Sequence, residues 1–201
     1  MNKKALEYQT YNEKIGDRRG LYKLLAETFD IKTALYPGSF IDIGPSLFIP
    51  KVIYVDNYKG AINYFRDLED ICSFIDHEKA NLETSQVIFY GVDYEKDLPI
   101  NEVDLIISQY AGFVGQATKR YLRPGGILLC NDSHGDATLA FCDDAFELIG
   151  VVIDHAIDNS HLNEYFRFKR ERKIDVDQVK KKMKGPKYKL QVENYLFKKN
   201  R

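Results

Sequence analysis

An α/β fold with a doubly wound, mostly parallel sheet is what this sequence predicts, and three observations carry the prediction. Short apolar runs alternate with amphipathic helical segments over residues 31–154, joined by short links. The runs are nearly continuous rather than alternating, as in strands covered on both faces. Residues out of keeping with a buried strand gather where the runs stop: Gly38 and Ser39, Asp56, Asp93, Ser108 and Gln109, and Asp132 with His134. In such a sheet the carboxyl ends of the strands share one edge, where ligands bind near the topological switch point. Independent strands have no structural reason to end alike.

Taken in order, residues 12–29 put Leu21, Leu24, Leu25 and Thr28 on one helical face ahead of the first strand. That strand, "IKTALY" (31–36), stops at Pro37-Gly38, and Asp42 then stands in an apolar run that does not explain it. "KVIYVD" (51–56) is the second strand. Residues 60–80 set Ile62, Phe65, Leu68, Cys72 and Ile75 at three- and four-residue steps, an amphipathic helix. "QVIFYGVD" (86–93) and "VDLIISQYAG" (103–112) are strands three and four. A helix over 113–122 closes at "RPGG", whose proline and glycines start a new element. "GILLCND" (126–132) is the fifth strand, 136–147 a helix, and "LIGVVID" (148–154) the sixth strand. Beyond it "EYFRFKR" (164–170) alternates like a strand, 175–185 reads as a helix with a glycine stop, and "VENYLFKK" (192–199) as a closing strand.

A chain of 201 residues suits one domain: an N-terminal helical segment (1–30), a core (31–154) and a basic C-terminal segment with the closing strand (155–201). The apolar share of 44% and charged share of 29% are those of an ordinary globular protein. No apolar run approaches the ~20 residues that span a bilayer, and the basic start has no apolar stretch behind it, so no secretory signal is expected. Cys72, Cys130 and Cys142 lack C-x-x-C spacing and read as reduced thiols of a cytoplasmic protein. The net charge of −1 conceals an asymmetry: residues 167–201 hold 14 Lys/Arg against 4 Asp/Glu, and the remainder 15 against 26. That segment is either a surface for RNA or another acidic partner, or a solvated face folded back on an acidic body.

Each strand end permits some chemistry. Gly38, without a Cβ, lets a ligand lie against bare backbone or simply makes a turn. No G-x-G-x-x-G follows it, which argues against a nicotinamide dinucleotide. Asp56 stands about twenty residues beyond the glycine, where a carboxylate accepts both hydroxyls of a ribose; its plainer role is a cap. Asp93, flanked by Val92 and Tyr94, suits an adenine amine beside an apolar cover, or a turn.

"KTALYPGSFIDIG", "VIYVD", "FYGVD", "VDLIISQYAG" and "RYLRPGGILLCND" together resemble the successive motifs of the class I S-adenosylmethionine-dependent methyltransferases, over residues 12–154. The resemblance implies a Rossmann-like, seven-stranded sheet whose last strand, "ENYLFKK", is antiparallel, with S-adenosylmethionine across the strand ends. It implies that Gly38 and Ser39 line the methionine part, that Asp56 and its neighbour Asn57 hold the ribose, that Asp93 and Tyr94 meet the adenine, and that Ser108 and Gln109 sit near the sulfonium. The first motif departs from the family pattern: Tyr36 and Pro37 precede a single glycine where an acid and G-x-G are usual. No Asp/Asn-Pro-Pro-Tyr follows strand four, so methylation of a base amine has no support.

Methyl transfer asks for alignment and, with a hydroxyl or thiol acceptor, for removal of a proton. His134 in "NDSHGD" is the candidate base, histidine titrating near neutrality; its plainer role is a loop residue bonded to Asp132 or Asp136. Tyr110 and Asp132 are the candidate substrate contacts. Asp132, His134 and Asp136 also stand at two-residue steps, a spacing too unspecific to assign a metal. The function expected is a methyltransferase acting on a small molecule. The alternatives are RNA as substrate, and a cofactor-binding or interaction protein that has lost catalysis.

Overall fold

The computed structural model describes residues 3–79 and 84–200. Ala80, the last residue of the helix expected over 60–80, and the outermost residues 1, 2 and 201 of the terminal segments lie outside the described residues. The chain forms two compact units, Met1–Leu98 and Pro99–Arg201.

In the first unit the order is α1 (Lys3–Ile15), α2 (Arg19–Phe29), β1 (Thr33–Pro37), β2 (Lys51–Val55), α3 (Lys59–Phe65), α4 (Leu68–Glu78) and β3 (Gln86–Tyr90). The single helix expected over 12–29 is two helices broken at Gly16, whose φ of 85° no helix accommodates. The helix expected over 60–80 breaks likewise at Arg66-Asp67. The three strands are parallel, in the order β3-β2-β1, and pair in step from Thr33↔Lys51↔Gln86 to Pro37↔Val55↔Tyr90. All but the first residue of β1 and of β2 is buried, which is why both read as unbroken apolar runs. The equal register brings the residues after Pro37, Val55 and Tyr90 to one edge.

The second unit contains β4 (Val103–Ser108), α5 (Val114–Thr118), β5 (Leu122–Cys130), α6 (Asp136–Phe141), β6 (Phe146–Ile153), β7 (Ala156–Asp158), α7 (Val176–Lys182) and β8 (Asn194–Lys199), in strand order β4-β5-β8-β6-β7. β4 and β5 are parallel, and β8 runs antiparallel to both β5 and β6, as expected of the last strand. Arg123-Pro124-Gly125-Gly126, expected to separate a helix from β5, lies inside the strand. Leu122 pairs with Val103 and Ile127 with Leu105, so the intervening residues bulge out, with Gly125 at φ 77°.

Residues 164–170 are not a strand. Tyr165 and Phe166 are both buried although adjacent, and Phe166 stacks on Phe141 with centroids 4.1 Å apart. The strand beyond the seven that the resemblance implies is β7, joined to β6 by Asp154-His155. Both of these have positive φ (48° and 63°), the geometry of a two-residue hairpin without its usual Asn-Gly.

Candidate functional site

In the first unit, β1 runs into a tight turn. Gly38 at φ 65° donates its N–H to the Val55 carbonyl (2.7 Å), extending the ladder by one rung, and Phe40 follows at φ 49°. The turn is fastened to the end of β2 through Asp56. Its Oδ2 accepts from the Phe40 N–H (2.8 Å) and its Oδ1 from the Tyr58 N–H (2.7 Å), while its own N–H donates to the Tyr90 carbonyl (3.2 Å). Asp56 therefore stitches the strand ends together and remains only 9% exposed. Ser39 is buried. The Phe40 ring lies between Tyr11 (5.0 Å, 73°) and Tyr58 (5.7 Å, 57°). Gly60 lies against this pair, since a Cβ there would stand 2.6 Å from Tyr58 Cε1 and 3.0 Å from Phe40 Cε2.

Past β3, Asp93 forms an Asx turn, accepting from the Glu95 N–H (2.9 Å) on Oδ1. Its Oδ2 accepts from Asn57 Nδ2 (3.3 Å), so two residues assigned to the ribose and the adenine are joined directly. Tyr94 is half-buried beside them.

Asp42 is the residue whose role the sequence left open. It is buried, with Oδ2 accepting from Tyr22 Oη (2.6 Å) and Tyr36 Oη (3.2 Å), Oδ1 accepting from the Gly44 N–H (3.2 Å), and Arg18 Nη1 3.8 Å away. Burial pushes its carboxyl above the ordinary range, opposed by the Tyr22 hydrogen bond and the Arg18 charge. This cluster pins the loop after β1 to α2. An acid in an apolar run was the visible signal; the identity of its partners was not visible.

In the second unit, Ser108 is buried at the end of β4 and its Oγ donates to Asp136 Oδ2 (2.6 Å), which also accepts from the Gly115 N–H (2.8 Å). Burial raises the Asp136 carboxyl to about 6. Asp132 accepts from Thr138 twice, N–H to Oδ1 and Oγ1 to Oδ2, both at 2.8 Å, and so caps α6; burial raises it to about 6 as well. Its carbonyl accepts from the Gly185 N–H (3.2 Å). Tyr110, at φ 57° and 47% exposed, donates from Oη to Glu193 Oε1 (2.8 Å). Among the described residues, no three His, Cys, Asp or Glu side chains are grouped as metal ligands.

Gln109 belongs to a chain of amides that the sequence did not reveal. Its Nε2 donates to Asn194 Oδ1 (2.9 Å) and its Oε1 accepts from Asn131 Nδ2 (3.1 Å). Asn131 Oδ1 in turn accepts from Ser133 Oγ (2.6 Å), and Ser133 Oγ lies 3.1 Å from His134 Nδ1. Ser133 gives its one proton to Asn131, so toward His134 it accepts, and a neutral imidazole bonded to it carries its proton on Nδ1 with Nε2 as the acceptor. The hydrogen bond of His134 thus goes to Ser133 rather than to the flanking aspartates.

These strand-end constellations, on a strand and helix order of this kind, define a class of fold. The chain has the Rossmann-like α/β fold of the class I S-adenosylmethionine-dependent methyltransferases, with the antiparallel closing strand. Among solved structures it is similar to the N-methyltransferase NodS from Bradyrhizobium japonicum WM9 in complex with S-adenosyl-L-homocysteine, with a TM-score of 0.50 and 12% identity over 68% of this chain and 76% of that one. It is also similar to a Klebsiella pneumoniae protein assigned as an O-methyltransferase, with a TM-score of 0.55 and 10% identity over 92% of this chain and 81% of that one. No protein-family model matches the sequence, and no curated protein matches it. No helix among the described residues is long and apolar enough to cross a membrane.

Proposed function

We propose that the protein is an S-adenosylmethionine-dependent methyltransferase acting on a small molecule, folded as one methyltransferase-like domain in the cytoplasm. The observation that carries the reading is Asp56 at the end of β2, in step with Gly38 at the end of β1. Each Asp56 oxygen gives one lone pair to a backbone N–H and keeps a second, a donor-free set that fits the two hydroxyls of a ribose. Gly38 and Ser39 would take the methionine part, Asn57 would support the ribose contact, and Asp93 with Tyr94 would meet the adenine. The neighbours' fold, and the S-adenosyl-L-homocysteine bound in NodS, support this assignment. The three cysteines are free thiols, which supports a reducing compartment.

When bound, the cofactor supplies an activated methyl group on a sulfonium. The protein's part is to align the acceptor and take its proton. His134 would take that proton through Nε2, with Nδ1 held by Ser133; Tyr110 and Asp132 would contact the acceptor, and Ser108 and Gln109 would line the cofactor near the sulfonium. Screening tritiated methyl transfer over a panel of hydroxylated, thiol and amine metabolites tests the reading. Transfer to at least one is expected, and it should be lost in Asp56→Ala at cofactor concentrations that saturate the wild type. Cofactor binding without turnover on any acceptor would instead support a non-catalytic binding protein.

A further inference from the structure

The basic C-terminal segment folds around a half-open concavity of about 610 Å³, lined by Phe168 and by the exposed side chains of Arg172, Lys173, Lys182, Lys184 and Lys187. Its walls are anchored to the second unit. Gly185 bonds to the Asp132 carbonyl, the Lys189 N–H donates to the Arg167 carbonyl (2.7 Å), and buried Tyr188 lies 2.9 Å from Thr138 Oγ1 through its hydroxyl. Arg172 is held with its guanidinium 4.0 Å over the Phe168 ring.

Five cations line this cavity against one acid, Asp175, and that carboxylate is committed to capping α7 through the Gln178 N–H (2.9 Å). Among the described residues none of the five makes an ion pair, whereas Arg167 and Lys189 close by are both paired with Glu164. Like charges gathered in one concavity repel one another, and an anion placed among them relieves that repulsion. Lysines supply point charges and the arginine a planar fork, the donor set for phosphate oxygens. The Phe168 ring is engaged by Arg172 and by Tyr188 (5.0 Å), so the site offers charge rather than the stacking platform that single-stranded nucleic acid uses.

We propose that this cavity binds a compact, multiply charged phosphoanion, such as the polyphosphate group of a small molecule. The test is calorimetric titration of the full chain with sodium tripolyphosphate at about 50 and about 200 mM salt, the range over which phosphate contacts weaken steeply. One saturable site that weakens with salt is expected. The triple variant Arg172→Gln, Lys184→Gln, Lys187→Gln should lose at least about tenfold in affinity, as for lost charge-assisted bonds. The control Lys180→Gln, Lys181→Gln, Lys198→Gln removes the same charge from outside the cavity lining and should stay within about threefold. Circular dichroism establishes that both variants fold; if the first does not, Lys187→Gln alone replaces it. No saturable binding to the wild type, an equal loss in both triple variants, or tighter binding of a short uridine oligonucleotide than of tripolyphosphate would each overturn the proposal.

Discussion

Replacing Asp56 by alanine removes two acceptors at once, and the loss falls on two backbone donors. The Phe40 and Tyr58 N–H groups, at 2.8 and 2.7 Å, are both deprived of a charged partner. A hydrogen bond to a charged group contributes about 1.5–3 kcal/mol, and water replaces it only where water can reach. Tyr58 is 62% exposed, so its N–H recovers much of the loss; Phe40, packed between Tyr11 and Tyr58, recovers less. The net cost to stability is about 2–4 kcal/mol. Urea unfolding followed by tyrosine fluorescence measures it, the chain having 14 tyrosines and no tryptophan. Affinity for S-adenosylhomocysteine, measured below the unfolding transition, should fall about ten- to a hundredfold as the ribose loses its acceptors. Asp56→Asn keeps one acceptor and should lie between the two in stability. Unchanged stability would refute the stitching of the strand ends. Reduced stability with unchanged affinity would leave Asp56 as a turn residue and refute its ribose role.

Burial raises the Asp136 carboxyl from 3.8 to about 6, so the folded state holds that proton more tightly than the unfolded chain. Its contribution to stability is complete below pH 3.8 and is lost as pH rises through about 6, a change of about 3 kcal/mol that urea midpoints across this range should show. Asp136→Asn, which keeps an acceptor for Ser108 and Gly115, should flatten that fall; an identical pH dependence in variant and wild type would contradict the assignment. His134→Asn should leave S-adenosylmethionine affinity intact and lower turnover by about 10²–10⁴. A loss under tenfold would reduce His134 to a loop residue. Gly135→Ala places a Cβ at φ 97° against Val179, and should destabilise the second unit by about 1–3 kcal/mol in chemical denaturation; a neutral result would mean that α7 is loosely held.

The strands were legible because burial on both faces writes itself into the sequence as unbroken apolar runs: β1, β2 and β8 lie within about two residues of where those runs placed them, and β4 begins where its run does but stops at Ser108, four residues before the expected end. The helix breaks at Gly16 and Arg66-Asp67 were not, because the apolar period continues across them while the backbone does not. Pro124-Gly125-Gly126 marks a bulge as readily as a terminus, and only the pairing of Leu122 with Val103 distinguishes the two. The Asp154-His155 hairpin uses residues that tolerate positive φ without advertising it.

At the site, the residues at strand ends were readable from local pattern, since Gly38 and Asp56 each stop an apolar run. Their partners were not. Asp42 is held by tyrosines from α2 and β1, and Gln109 by Asn131 and Asn194, the latter 85 positions away in sequence. Such side-chain hydrogen bonds have no period and leave no trace in a single sequence. Ser108, expected near a sulfonium, spends its hydroxyl on Asp136 for the same reason.

The most direct test is calorimetric titration of the full chain with S-adenosylmethionine and, separately, with S-adenosylhomocysteine. Saturable one-to-one binding of both is expected, weakened in parallel by Asp56→Ala. No heat of binding from either ligand, confirmed by equilibrium dialysis on protein that circular dichroism shows to be folded, would contradict the methyltransferase reading outright.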